Sequence, residues 1–254
     1  MYTNNVKTSL SSHYLQTMKI HIQDSTRFAT ALAVCKEFHE FVTFTVTDGW
    51  LRATVLDSTH VSVSVISIAV TVEDYEPGTL SIRTDDIVKT LALGHGGPVL
   101  LEPSVDTVLV SLDETAITAK IRLFDIDVED MSIDGYEAGC TYTIPSQEFF
   151  GRIKDISIFG DTVTMADAPS GIAVSTSGDV GDIRITLDAI RDGETGIKAS
   201  FACRYLNSLA KASKLSETCT VSLGEDIPAR VSITSDDMSF CFYLAPKLGD
   251  DDIV

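Results

Sequence analysis

Residues 123–133, Leu-Phe-Asp-Ile-Asp-Val-Glu-Asp-Met-Ser-Ile, set the reading of the whole chain. Ile126 and Val128 alternate with Asp125, Asp127, Glu129 and Asp130, and Met131 and Ile133 close the stretch. Such alternation suits an extended segment lying over a surface, acids toward water and aliphatics toward protein. The stretch falls close to the middle of 254 residues, and the sequence on its two sides follows one plan.

Before it, residues 18–22 alternate as a strand. Residues 25–39 then place Phe28, Ala31, Leu32, Cys35 and Phe38 on one face of a helix, with Asp24 or Ser25 as cap. Residues 41–46 and 51–56 flank Thr47-Asp48-Gly49 as a hairpin, and residues 61–72 are rich in β-formers. A short helix is expected from Thr84 as cap, with Asp85 and Asp86 in its first turn and Ile87, Val88 and Leu91 apolar. Strands follow at 99–102, 107–112 and 116–123.

After the connector the order returns. Residues 142–144 form a strand, and Pro145 and Ser146 open a helix carrying Phe149, Ile153 and Ile156. Residues 162–166 and 171–176 form a hairpin, 182–187 a further strand, and 203–212 a fourth helix with Leu206, Leu209 and Ala210. Strands at 219–223, 229–234 and 239–244 complete the plan. Helix starts near 25, 85, 146 and 202 define a repeat of about 60 residues. The fold class is α+β: two similar halves, each with helices on one face of antiparallel sheet. The domains are read as a flexible N-terminal extension over 1–16, a first domain over 17–122, the connector over 123–137, a second domain over 138–248 and an acidic tail over 249–254.

The formal charge of −18 argues against a surface that seeks nucleic acid or anionic lipid as a whole. Its distribution is uneven. Arg27, Lys36, Arg83, Lys89, Arg152, Lys154, Arg204, Lys211 and Lys214, nine of nineteen basic residues, lie on or beside the four helices. A basic helical layer backed by acidic sheet suits an anion tracked along the helices. No apolar run reaches the length of a membrane span, and the N-terminus lacks a secretory pattern. Five cysteines without CxxC spacing read as reduced, buried thiols.

Catalytic patterns are lacking. His95-Gly96-Gly97 has the look of an oxyanion loop, but no GxSxG elbow accompanies it and it reads as a turn. The connector acids lack the glycine and terminal glutamate of a calcium loop. The five histidines are scattered, and no phosphate-binding glycine loop occurs. No enzyme activity, metal or cofactor is expected.

Three stretches carry a family resemblance: Leu56-Asp57-Ser58-Thr59-His60-Val61-Ser62-Val63, the connector itself, and Phe242-Tyr243-Leu244-Ala245-Pro246-Lys247-Leu248. Residues 144–149, 156–161 and 204–207 agree with them. From about residue 17 onward the chain resembles proliferating cell nuclear antigen, the eukaryotic DNA sliding clamp. The resemblance implies a homotrimeric, head-to-tail ring with helices around duplex DNA and sheets outside, acting as a polymerase processivity factor in the nucleus or at a viral replication site. It implies DNA-facing roles for Lys36, Lys89, Lys154, Arg204 and Lys211. Two lysines usual in the family's first helix are Ala29 and Thr30 here.

The resemblance further implies a pocket beneath the connector for plugs of the form Gln-x-x-aliphatic-x-x-aromatic-aromatic, borne by DNA polymerases, the clamp loader, flap nucleases and DNA ligases. Its positions here are Leu56, His60, Val61, Val63, Met131, Ile133, Pro228, Tyr243, Ala245, Pro246 and Leu248, with Ala202 at the glutamine rim. Aliphatic and Met side chains give a floor that many plugs can fill. The lysine that the family modifies aligns with Pro169. The subunit-joining strands are expected at 116–123 and 182–187, where a usual aromatic is Ala119. The alternative is a subunit of a heterotrimeric checkpoint-type clamp.

Overall fold

The computed structural model describes residues 18–75, 77–126 and 135–247. The N-terminal extension, the acidic tail and connector residues 127–134 lie outside the described residues.

The first half runs β1 (Lys19–Ile22), α1 (Ser25–Cys35), β2 (Phe41–Thr47), β3 (Trp50–Leu56), β4 (Ser62–Ala69), β5 (Thr71–Glu73), β6 (Thr79–Arg83), α2 (Thr84–Ala92), β7 (Val99–Pro103), β8 (Thr107–Leu112) and β9 (Ile117–Arg122). The second half repeats that order as β10 (Cys140–Pro145), α3 (Ser146–Ile156), β11 (Thr162–Ala168), β12 (Gly171–Gly178), β13 (Gly181–Asp188), β14 (Ile190–Gly193), β15 (Lys198–Ala202), α4 (Cys203–Ser208), β16 (Thr218–Leu223), β17 (Ala229–Ser235) and β18 (Met238–Leu244). A 3₁₀ segment, Leu209–Lys214, extends α4. All pairing is antiparallel, and helices lie against sheet, as α+β patterning requires.

Local chemistry explains the element ends. Asp24 caps α1, its side chain accepting from the N–H groups of Thr26 at 2.9 Å and Arg27 at 3.2 Å. Asp48 and Gly49 both adopt positive φ, the two-residue turn that a twisted hairpin favours. The expectation that Thr84 caps α2 is corrected: Thr84 is the first helical residue, and no side chain caps α2, α3 or α4. Their first N–H groups instead reach main-chain carbonyls. Thr84 donates to Glu40, Ser146 to Glu217 and Cys203 to Asp161, each at 2.8 Å. α1 also stops at Cys35 rather than at residue 39.

Sequence reading missed β6, β14 and β15, and it fused β4 with β5 although the two belong to different sheets. β14 is exposed throughout and has no apolar face to announce it. Its pairing with β10, not its own side chains, makes it a strand.

Three sheets result, ordered β5-β1-β7-β8-β9, β14-β10-β16-β17-β18-β4-β3-β2-β6 and β13-β12-β11-β15. The five-strand unit β5-β1-β7-β8-β9 recurs as β14-β10-β16-β17-β18, and β4-β3-β2-β6 recurs as β13-β12-β11-β15. The nine-stranded sheet is therefore one unit from each half, joined along β18 and β4 from Met238↔Ile68 to Leu244↔Ser62.

Side chains reinforce that seam. Phe242 is fully buried, its ring 5.1 Å from Phe38, which stacks on Tyr205 at 6.0 Å. Arg27 of α1 pairs with Asp237 of the β17–β18 turn at 2.7 Å. The buried Asp57 carboxylate accepts from the hydroxyls of Tyr205, at 2.9 Å, and Thr59. Burial alone would raise the Asp57 pKa, but these bonds outweigh it and hold the carboxyl below its usual range.

Tyr205→Phe is expected to cost about 1.5–3 kcal/mol at pH 7, because it removes a donor from a buried charge. A carboxyl with a depressed folded pKa contributes above its unfolded value, near 4, and loses that contribution as pH falls through the folded pKa. Urea unfolding at pH 7 and again at about pH 3 checks both the loss and its fading in acid.

Candidate functional site

Two surfaces carry the residues singled out by sequence. On the sheet side, a cavity of about 460 Å³ is lined by Val63, Gly135, Tyr136, Glu137, Ile227, Pro228 and Tyr243. Val63 and Tyr243 are opposite one another across the β4–β18 seam, so the strand pairing itself forms the floor. Val63, Pro228 and Tyr243 are among the expected residues. Tyr136, Ile227 and Glu137 were not anticipated, since they lie in segments without periodicity.

Tyr136 organises one wall. Its hydroxyl donates to the Pro228 carbonyl at 3.0 Å and to that of Ser222 at 3.3 Å. Its ring meets Tyr243 edge-on at 5.4 Å, and the Arg230 guanidinium lies 4.7 Å from its centroid. Burial pushes the Tyr136 phenol up to about 12, so it stays a hydrogen-bond donor throughout the neutral range. The wall where the connector re-enters the second half is thereby fixed to β16 and the approach to β17.

Of the other expected residues, Leu56 is opposite Val63 in the β3–β4 pair, next to the cavity rather than lining it. His60 is exposed in a left-handed conformation, φ 58°, at the turn between β3 and β4. Val61 accepts from the Ala245 N–H at 2.9 Å, and Lys247 N–H donates to Ser200 at 2.7 Å. The segment Ala245-Pro246-Lys247 thus runs from the seam toward β15, bringing Ala245 and Pro246 to the Ala202 end of that strand. Met131, Ile133 and Leu248 lie outside the described residues.

The start of the connector is anchored in the equivalent way. Phe124 N–H donates to Ser81 at 2.9 Å, its ring meets Phe41 edge-on at 4.9 Å, and Arg83 lies over both rings.

The helices form the second surface. α1 packs on α2 and on the 3₁₀ segment after α4, while α3 packs on α4 and on the same segment. The layer is ordered α2, α1, α4, α3. Lys36, Lys89, Lys154, Arg204 and Lys211 are all exposed on it. Most of its cations are already matched. Asp85 holds both Lys36 and Lys89, one through each oxygen, and Glu37 holds Lys211. Arg83 pairs with Glu40 and Arg152 with Asp155, each at 3.0 Å. Lys36 and Lys89 hold the Asp85 carboxyl below the usual carboxylate range. Lys154, Arg204 and Lys214 have no carboxylate partner among the described residues; Arg204 bonds the Tyr205 hydroxyl at 3.0 Å. These acid partners were not seen in sequence, because Asp85 was assigned only to the helix dipole and Glu37 to a solvated face.

Nucleophilic chemistry is disfavoured at the thiols. Burial raises Cys35 and Cys219 to about 12 and Cys203 to about 11, well away from the thiolate range. His95, at φ 51°, and Gly96 form the turn after α2. A Cβ on Gly96 would meet the Thr26 hydroxyl at 2.3 Å, so that glycine serves close approach to α1. Among the described residues no three His, Cys, Asp or Glu side chains gather as a cation would need, and no helix is long and apolar enough to cross a membrane.

Repeated five- and four-strand units with helices on one side, joined by a mid-chain connector over an apolar hollow, define the DNA-clamp fold. Residues 132–248 match the family model of the proliferating cell nuclear antigen C-terminal domain. The chain superposes on the crystal structure of proliferating cellular nuclear antigen from Entamoeba histolytica with a TM-score of 0.84 and 23% sequence identity, covering 91% of this chain and 99% of that one. The chain is thus a sliding clamp of the proliferating cell nuclear antigen type, with that antigen's C-terminal domain as its second half.

Tyr136→Phe deletes the bonds to Pro228 and Ser222 while keeping the ring. It is expected to lower stability by about 1 kcal/mol, read as a smaller urea midpoint at unchanged slope.

Proposed function

We propose that the chain is a DNA polymerase processivity factor: a homotrimeric ring that encircles duplex DNA and tethers polymerase, clamp loader, flap nuclease and ligase through the cavity at Val63, Pro228 and Tyr243. It works in the nucleus, or at a viral replication site, as a scaffold and not an enzyme. The checkpoint-type alternative is not favoured, since the matched family is the homotrimeric one.

One observation carries this reading: the strand edges left open. β6 is covered by the connector through Phe124 and Ser81, and β15 by the C-terminal segment through Lys247 and Ser200. β5 and β14 are only three and four residues long. That leaves β9 and β13, of six and eight residues, each paired on one side only. Edges of this length require a partner or invite one. By the internal repeat, β9 is the counterpart of β18 and β13 of β4, the two strands that join within the chain. Repeating the same joint between copies is head-to-tail, and closure after a few copies gives a ring.

The helical layer supports the DNA-facing role. Phosphate contacts by Lys and Arg carry no sequence information and weaken with salt, which suits a sliding ring. Lys154, Arg204 and Lys214 are ready for phosphate; Lys36, Lys89 and Lys211 reach it by exchanging a carboxylate for a phosphate oxygen.

Light scattering on purified protein should give three copies per particle, and low-resolution imaging a closed ring; a monomer at all concentrations refutes the reading. Tyr243→Ala should weaken a plug peptide by about tenfold, roughly 1.4 kcal/mol, with trimer intact; unchanged affinity moves the pocket elsewhere. Reversing charge at Lys89, Arg204 and Lys211 should cut polymerase stimulation without unfolding. Asp85→Asn should do the opposite to DNA affinity, raising it at low salt and steepening the salt dependence by about one counterion per copy.

A further inference from the structure

The seam inside the chain fixes the contact between chains down to individual residues. Ser81 and Ser200 each stand three residues before a helix start, at Thr84 and Cys203. Phe124 donates to the first and Lys247 to the second, so Phe124 and Lys247 are equivalent. Counting back along the two strands, Ala119 is equivalent to Phe242. On the other side, Val42 pairs with Ile82 and Val163 with Phe201, each two residues before a helix start. The ladders then run Phe44↔Ala53↔Ile66 and Met165↔Val174↔Ile185. Ile185 is therefore equivalent to Ile66, and Ile183 to Ser64.

Within the chain Phe242 is opposite Ser64. We propose that β9 of one copy pairs with β13 of the next in the corresponding register, Ala119 opposite Ile183, and that Leu93 and Ile158 close the helical side of this contact. The inference rests on the ring reading and goes beyond it in naming the register and the seal.

Three independent features agree with this register. First, it sets small against large: Phe242 with Ser64 inside the chain, Ala119 with Ile183 between chains, so the missing aromatic at Ala119 is compensated across the joint. Second, it places Lys120 opposite Asp182 on the solvent face. A slip of two residues instead puts Lys120 opposite Arg184 or Val180, so the charge match is lost in both directions.

Third, it accounts for exposed apolar side chains. Leu93 is 50% exposed, Ile158 71% and Val180 68%, among seven large hydrophobics left in water. Leu93 lies nine residues beyond the start of α2, as Ala212 lies nine beyond the start of α4; Ala212 is fully buried at the internal seam. Ile158 lies twelve beyond the start of α3, as Glu37 lies twelve beyond the start of α1, and Glu37 is the residue that reaches Lys211 across that seam. Ala92 holds the position of Lys211. Val180 is the counterpart of Val61, which takes the Ala245 N–H. The internal joint is closed by an ion pair, and the external one by apolar contact between α2 of one copy and α3 of the next. α2 and α3 are the two ends of the helical layer, the only helices with a free flank.

The test copies the internal joint into the external one, using the full-length protein. Ile158→Glu alone should raise the concentration at which the particle dissociates by about tenfold, and adding Ala92→Lys should restore it, because the pair recreates Glu37 and Lys211. Ala119→Cys with Ile183→Cys should cross-link into covalent oligomers at least about tenfold faster than Ile117→Cys with Ile183→Cys, which samples the slipped register. Circular dichroism of each variant should match the parent, since Ala92 and Ile158 are exposed. Oligomers that form but show no rescue and no preference between cysteine pairs overturn the register and the seal while leaving the ring. A parent protein that is monomeric throughout overturns the ring reading, and this inference with it.

Discussion

The pairing of β18 with β4 is the joint on which the rest of the molecule depends. Seven consecutive residues of each strand face one another, and with them one five-strand unit and one four-strand unit become a single sheet. The joint uses the last regular strand of the chain, so the first half gains its cover only when the second is complete. It also brings Val63 beside Tyr243 and so makes the floor of the cavity. The same joint leaves each half with one unmatched edge, at opposite ends of the chain's helical layer. Hollow, layer and open edges are thus three results of one strand pairing.

The electrostatics are less simple than a basic surface on an acidic protein. Asp85 sits between Lys36 and Lys89, and Glu37 beside Lys211, so the helical layer neutralises much of its own charge. Exposed pairs of this type are individually worth little and exchange readily. A face built from them offers cations to a passing polyanion without holding a strong standing potential. That matters in a molecule whose net charge is −18.

Periodicity made the strongest elements legible. The α1 stripe of Phe28, Leu32 and Cys35, the Asp48-Gly49 hairpin and the return of the same order after residue 140 could all be read before any coordinates. What escaped has a common physical cause. β14 and β15 are defined by their ladder partners, and a partner is not visible in the strand's own side chains. The same holds for Tyr136, which lies in an aperiodic segment yet fixes a wall of the cavity through two carbonyls distant in sequence. Thr84 looked like a cap because its chemistry permits one; the backbone of Glu40 took that role instead. For the site, residues on paired strands such as Val63 and Tyr243 fell into place, while the carboxylate partners of Lys36, Lys89 and Lys211 depended on neighbouring helices that sequence cannot juxtapose.

The helix starts carry a final consequence. Three of the four are secured by main-chain carbonyls rather than by any side chain. Every residue except proline can donate that bond, so the anchoring is indifferent to mutation. Side chains at these starts are released from architectural duty, and selection can recolour the inner face with acids or bases while the scaffold stays put. A shape can therefore outlast most of its original letters, as a superposition at 23% identity illustrates.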